Sequence, residues 1–431
     1  MRSKLNHLAR TNRDLIGNAL TLIGTAVATS GSGFVYWLLA ARILDPFTVG
    51  SAAALVSAAT LVANIGMLGA NTIVVTLVSG RRPSDSGAVI TTASVAAGAG
   101  ASLVGLVYVA AAGGAWQERL LVGAIVVATA ALTSAGLVLD SAAVGLLLGQ
   151  LQFVRNVVFA IVKLALLAAA LFAFHLDSAV SVLGTWLGGL AISVAVAVTR
   201  LRSNGARPGL RTGWSRLRKH GRAVAGHSLL NLGLVVPASG LPVVISALLS
   251  SSTNAVFYAA YMIASFVNTI PGALSTSLFA VAAGNRDLLG RKLRTSLLLS
   301  IAVGLPVSVV VILLRRPAMS LFGEHYAQEG ASALGLLLLG YTAVVIQMHF
   351  VASSRVTNRV TRAGTFVLVL AGAQLLAAGW GATHGGLDVA VGCVVGVQTL
   401  GALAMLPTVF RVLRRSHPPS AALSAPVGAR S

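Results

Sequence analysis

Two ionisable side chains lie deep in apolar sequence. Asp140 falls in the run 119–148 and Lys163 in the run 156–175. If those runs are consecutive antiparallel helices, each residue is about eight positions from the same end, roughly 12 Å deep at ~1.5 Å per residue. A lone charge at that depth is costly, so each needs a partner. A structural ion pair between them is the plain reading. Proton coupling or capture of a phosphate is the sharper one. A third is that Lys163 snorkels to the near surface.

A second set is neutral. Asn18 and Thr25 lie in the run 15–41, Asn64 and Asn71 in 47–79, His227 and Asn231 in 223–249, and Tyr258, Tyr261 and Asn268 in 254–283. Within each run the spacing places them near one face of a helix. Hydroxylated residues on these helices suit close helix contact in a membrane. Asn and Tyr are bulkier and dearer to bury in lipid, so they suit a wet cavity. Amides and phenols supply neutral hydrogen bonds and aromatic faces, which is what a sugar needs. The expectation is that these four helices face one another across a cleft.

The elements that position them are membrane helices. The chain of 431 residues is 56% hydrophobic and 10% charged, with mean hydropathy +0.87. Soluble domains carry about a quarter charged residues. Twelve runs are long enough for a ~30 Å hydrocarbon core: the six named above, with 87–112, 178–199, 295–314, 330–353, 363–383 and 389–411. No barrel-like alternation is present, and backbone groups in lipid must bond internally, so the spans are helices. The fold class is an all-α integral membrane protein. Its basic start (Arg2, Lys4, Arg10, Arg13) precedes an apolar run too long for a signal-peptide core, which reads as a retained first span. The single Cys393 can form no intrachain disulfide, and no metal-ligand spacing surrounds it, so no metal and no cofactor are expected.

Charge sets the orientation. With the N-terminus inside, the inner segments hold 26 of the 31 Lys/Arg, the outer loops four, and Lys163 lies within a span. That bias follows the positive-inside rule. The net charge of +21 therefore reads as topology and attraction to anionic lipid, not as nucleic-acid binding. Residues 200–222 carry eight basic residues and no acid, forming a cytoplasmic connector between an N-terminal lobe (1–199) and a C-terminal lobe (223–415). Trp214 within it suggests either a stretch lying on the inner membrane face or a solvated basic loop. The Pro-containing tail 416–431 reads as disordered. Prolines interrupt only the later spans, at Pro237, Pro242, Pro271 and Pro306, where they kink helices.

The stretch Ala40-Ala41-Arg42-Ile43-Leu44-Asp45-Pro46-Phe47-Thr48-Val49-Gly50 resembles the first outer loop of the polysaccharide flippases. Ile65-Gly66-Met67-Leu68-Gly69, Thr269-Ile270-Pro271-Gly272 and Leu321-Phe322-Gly323-Glu324 are similar to strings of that family in the matching loops and spans. The resemblance implies the fold of the multidrug/oligosaccharidyl-lipid/polysaccharide exporter superfamily, with two six-helix lobes in a V around a central cavity. It implies a protein of the inner cell membrane, both termini cytoplasmic, whose partners are a lipid-linked glycan and membrane lipids. It marks Arg42 as a family-string residue. Arg81 and Arg286 on the inner side are candidates for drawing an anionic head to the entrance.

The expected function is flipping of a lipid-linked oligosaccharide from the inner to the outer leaflet by alternating access. The lipid II flippases of the superfamily carry several cavity arginines and usually fourteen spans. This chain has twelve and no arginine inside the proposed cavity helices, which favours another glycan. A multidrug extruder of the same superfamily is the alternative, but it commonly uses acids in those helices, and Asp140 is the one deep acid. A membrane glycosyltransferase or glycan polymerase needs positioned acids. Asp45, Glu118, Asp177, Glu324, Glu329 and Asp388 are scattered over outer loops, so no enzyme is expected.

Overall fold

The computed structural model describes residues 31–111, 116–284 and 289–414. Asn18, Thr25, Arg286 and the tail 416–431 lie outside them. The described chain is helical throughout. Residues 31–43 form the described part of α1. Then come α2 (Pro46–Gly66), α3 (Ala70–Val78), α4 (Pro83–Ala111), α5 (Trp116–Gly145) and α6 (Gly149–Ala168), which closes with a π turn at Ala169–Ala173. They are followed by α7 (Ala179–Ser203), α8 (Leu210–Leu248), α9 (Ser251–Gly284), α10 (Leu289–Leu313), α11 (Arg315–Ser320), α12 (Glu324–Leu339), α13 (Tyr341–Val356) and α14 (Val360–Arg414).

Among the described residues, nine helices are long and apolar enough to cross a membrane, and the pair α12–α13, bent by 45°, makes a tenth. The 55-residue α14 cannot be one span, since ~1.5 Å per residue would make it about 80 Å long. It is two helices folded at Gly385 and Gly386, and Gly386 has φ 72°, a backbone that favours glycine. The predicted runs 363–383 and 389–411 correspond to its two arms.

Three predicted elements differ: the run 330–353 is the bent pair α12–α13, broken at Gly340. The run 47–79 is not one helix: it breaks at 67–69, where Leu68 and Gly69 take positive φ. The basic segment 200–222 is mostly helical, because α7 runs on to Ser203 and α8 begins at Leu210. The charge run marked a membrane boundary and not a loss of helix. Trp214 is exposed on the first turns of α8. At the opposite end, Asp45 caps α2 by accepting from the Thr48 amide at 3.0 Å, and these bonds hold its carboxyl below the ordinary range.

The apolar cores show how the two lobes meet. One buried cluster is shared: Tyr36, Val49 and Ala52 of the first lobe join Ile245, Phe257 and Leu338 of the second. Two further clusters are private. Met67, Val78, Val89 and Leu139 belong to the first lobe, and Leu230, Leu278, Leu293 and Met405 to the second. The lobes therefore share one core and keep two private ones, and they also meet near the start of α3, where Gly69 lies against Ser228 of α8.

Candidate functional site

The shared core is a seal. Gly50 of α2 lies against the backbone of α9: a Cβ there would fall 1.7 Å from the Ser251 carbonyl oxygen. Only glycine permits that approach. Asn254, fully buried, donates its Nδ2 to the Gly50 carbonyl at 2.8 Å. Phe34 of α1 packs edge-on to Phe266 of α9 and to Phe322, and Trp37 packs edge-on to Tyr258. Arg42 donates from Nε to the Leu321 carbonyl at 2.6 Å and from Nη2 to the Ser320 carbonyl at 3.0 Å. It thus caps the C-terminal end of α11, where free carbonyls favour a cation. The family-string arginine is an inter-lobe tie.

Within the second lobe, α8, α9, α13 and α14 line a half-open cavity of about 330 Å³. Tyr261, Ser265 and Asn268 of α9 line one side, and Gln347, Gln374 and Gln398 the other. The glutamines form a chain: Gln374 donates to Gln398, which donates to Gln347. Gln374 and Gln347 are buried. Pro237 removes the i+4 donor of the Gly233 carbonyl, and Pro242 that of Ala238; both Gly233 and Ala238 line the cavity.

The first lobe holds a buried ion pair. Arg155 grips Asp140 in bidentate fashion, Nε to Oδ1 at 2.6 Å and Nη2 to Oδ2 at 2.5 Å. The two side chains are 8% and 13% exposed for Arg155 and Asp140 respectively. Arg155 also donates to Asn156 Oδ1 at 2.8 Å. The expected Asp140–Lys163 pair is therefore corrected. α6 begins at Gly149, so Arg155 is inside the helix and not in the loop preceding it, and it reaches Asp140 first. Lys163, eight residues on, is two turns deeper at ~1.5 Å per residue. It is 3% exposed, and its Nζ lies 4.2 Å from the ring centre of Trp186, 4.6 Å from Phe159 and 5.4 Å from Tyr36. It neither snorkels nor meets Asp140. Aromatic faces solvate the ammonium.

The predicted polar residues do not form one wall across the cleft. Tyr261 and Asn268 enter the second-lobe cavity. Tyr258 packs on Trp37 in the seal. Asn64 donates back to the Thr60 carbonyl of its own helix at 2.8 Å, and Asn71 accepts from the Thr72 amide at the start of α3. Asn231 accepts from Arg355 Nη2 at 2.8 Å, and His227 lies one turn earlier on α8. Arg81 is exposed at the turn before α4. The three cavity glutamines were not singled out from sequence, although a glutamine within each of the last three apolar runs was a usable signal, since buried amides are costly. Phe159, at i−4 from Lys163, was a second such signal.

Two outer-loop acids that are distant in sequence, Glu329 and Asp388, line one hollow of about 260 Å³ together with His325. Among the described residues no group of three or more His, Cys, Asp or Glu could hold a metal ion.

No known protein family matches the chain, and no curated protein resembles it closely enough to match. Solved structures do. A lipid II flippase, MurJ, in an inward closed conformation superposes with TM-score 0.67 at 14% identity, covering 92% of this chain and 90% of that one. An inward-facing multidrug resistance MATE transporter of the MOP superfamily gives 0.63 at 15%, covering 94% and 99%. A MOP superfamily transporter from Pyrococcus furiosus, described as having a binding pocket of reverse polarity, gives 0.63 at 13%, covering 95% and 97%. The chain has the two-lobed, all-α fold of the MOP superfamily membrane transporters.

Proposed function

We propose that the chain is a flippase that moves a lipid-linked glycan from the inner to the outer leaflet of the cell membrane by alternating access. The observation that carries this reading is the ionisable inventory of the lobes. The deep acid Asp140, on which an extruder's ion coupling would rest, is held by both oxygens in the Arg155 fork. The cavity beside α8 and α9 offers amides, hydroxyls and a phenol. Neutral hydrogen-bonding groups suit a sugar better than a cationic drug.

In this reading the shared core and the Arg42 tie close the outer side. Exposed Arg81, with Arg286, would meet an anionic head arriving from the inner leaflet. The lipid tail stays in the bilayer while the head crosses. The second reading, a multidrug extruder, is favoured by the MATE structures among the fold's neighbours. Glu329 and Asp388 are the pair on which an enzyme reading would have to rest.

A deletion strain decides between them. The expected result is a lipid-linked glycan accumulating on the inner leaflet, with loss of one surface glycan. Normal export of every surface glycan combined with new drug sensitivity would replace the flippase with the extruder.

A further inference from the structure

We infer that the half-open cavity lined by α8, α9, α13 and α14 of the second lobe is a binding site for an uncharged, hydroxyl-bearing group. It would take a glycosyl unit of the substrate, inside one lobe and not between the two. The inference rests on the flippase reading and adds the location and chemistry of the site.

Charge is the first argument. No Asp, Glu, Lys, Arg or His lines the cavity. A phosphate, carboxylate or ammonium entering it would lose water without gaining a counter-charge, at high cost. A neutral group avoids that cost. The linkage phosphate of a lipid-linked sugar therefore stays outside this space.

Hydrogen-bonding capacity is the second. A carboxamide has two N–H donors and a two-lone-pair acceptor. The glutamine chain uses one donor of Gln374, one of Gln398 and the acceptors of Gln398 and Gln347. Both donors of Gln347 and the carbonyl oxygen of Gln374 are left over. Gly233 and Ala238, whose carbonyls lose their helical donors to Pro237 and Pro242, also line the cavity and add acceptors. Unspent donors and acceptors around one space match a ring bearing hydroxyls, each of which donates and accepts.

Space is the third. A network serving only to hold helices together would be packed, because interiors are filled to crystal density. Here about 330 Å³ stands open beside the amides, within the size range of small-ligand sites. Tyr261 supplies an aromatic wall, and its ring lies 5.7 Å from that of Phe257, which backs it.

The test uses the full-length protein in lipid nanodiscs and radiolabelled octyl β-glucoside, an uncharged sugar head on a short chain. Empty nanodiscs give the background. The expected result is one saturable site per chain, displaced by unlabelled octyl glucoside but not by octyl sulfate or octyltrimethylammonium. Tyr261→Phe keeps the ring and Asn268→Leu keeps the bulk; at least one of them should weaken binding tenfold or more while the melting temperature stays near that of the parent protein. No saturable component, affinity unchanged from the parent protein in both variants, or displacement by the charged heads would overturn the inference. Its failure is separable from that of the flippase reading. If binding is absent but the deletion strain still accumulates a lipid-linked glycan, the site is misplaced and the function stands. If binding is present but no glycan accumulates, the site stands and the function falls.

Discussion

The interiors of the two lobes solve the same problem in opposite ways. Both must place polar groups among apolar helices. The first lobe uses full charges, Asp140 gripped by Arg155 and Lys163 ringed by Tyr36, Phe159 and Trp186. The second also buries a cation, Lys292, but around its open space it uses neutral amides, Gln347, Gln374 and Gln398. Charges in a low-dielectric setting interact strongly but tolerate no loss of a partner. Amides are cheaper to leave partly unpaired and can exchange one partner for another. A lobe fastened by a charge clamp suits a rigid body, and a lobe with unspent hydrogen bonds suits a changing occupant.

The sharpest break of this comparison is Asp140→Ala. It strands the buried Arg155 guanidinium, which should cost about 3–5 kcal/mol. The expected readout is a large fall in melting temperature of the purified protein, with recovery in Asp140→Leu/Arg155→Leu. A melting temperature unchanged in Asp140→Ala would mean the clamp is not what fastens the lobe. Lys163→Met comes next. It removes a cation–π contact worth up to about 2 kcal/mol, but it also removes a buried charge, so the net change should be smaller than for Asp140. The two substitutions should add without coupling, because the groups do not meet; a double-mutant coupling energy above about 1 kcal/mol would show that they do.

The amide chain of the second lobe should respond more mildly. Gln398→Leu removes the middle of the amide chain and should cost about 1 kcal/mol, since the two stranded amides still reach the open cavity. A loss as large as that of Asp140→Ala would erase the contrast between the lobes. The smallest effect belongs to the tie that joins them. Arg42→Ala deletes two hydrogen bonds to exposed carbonyls and should change stability by less than about 1 kcal/mol. Its effect should appear instead as faster thiol labelling, from the outer side, of a Cys placed at Tyr258 in the seal. Unchanged labelling would separate Arg42 from the closure.

Sequence by itself determined the class and the plan. Twelve apolar runs and their alternating basic loops follow from the cost of exposing backbone and charge to lipid, a cost each segment bears locally. The helices, their order, the hairpin at Gly385–Gly386 and the division into two lobes were legible for that reason. The partners of polar groups were not. Asp140 had two basic residues within plausible reach, and the choice depended on where α6 begins and which way its face turns. Arg42 was marked by its string alone, and its partners are the Ser320 and Leu321 carbonyls, 278 and 279 residues away in sequence. The stripe expected to face a cleft was divided among a seal, a cavity inside one lobe and bonds within single helices. Helical periodicity fixes which residues share a face, but neighbouring helices decide what that face meets, and that decision is made only when the helices pack together.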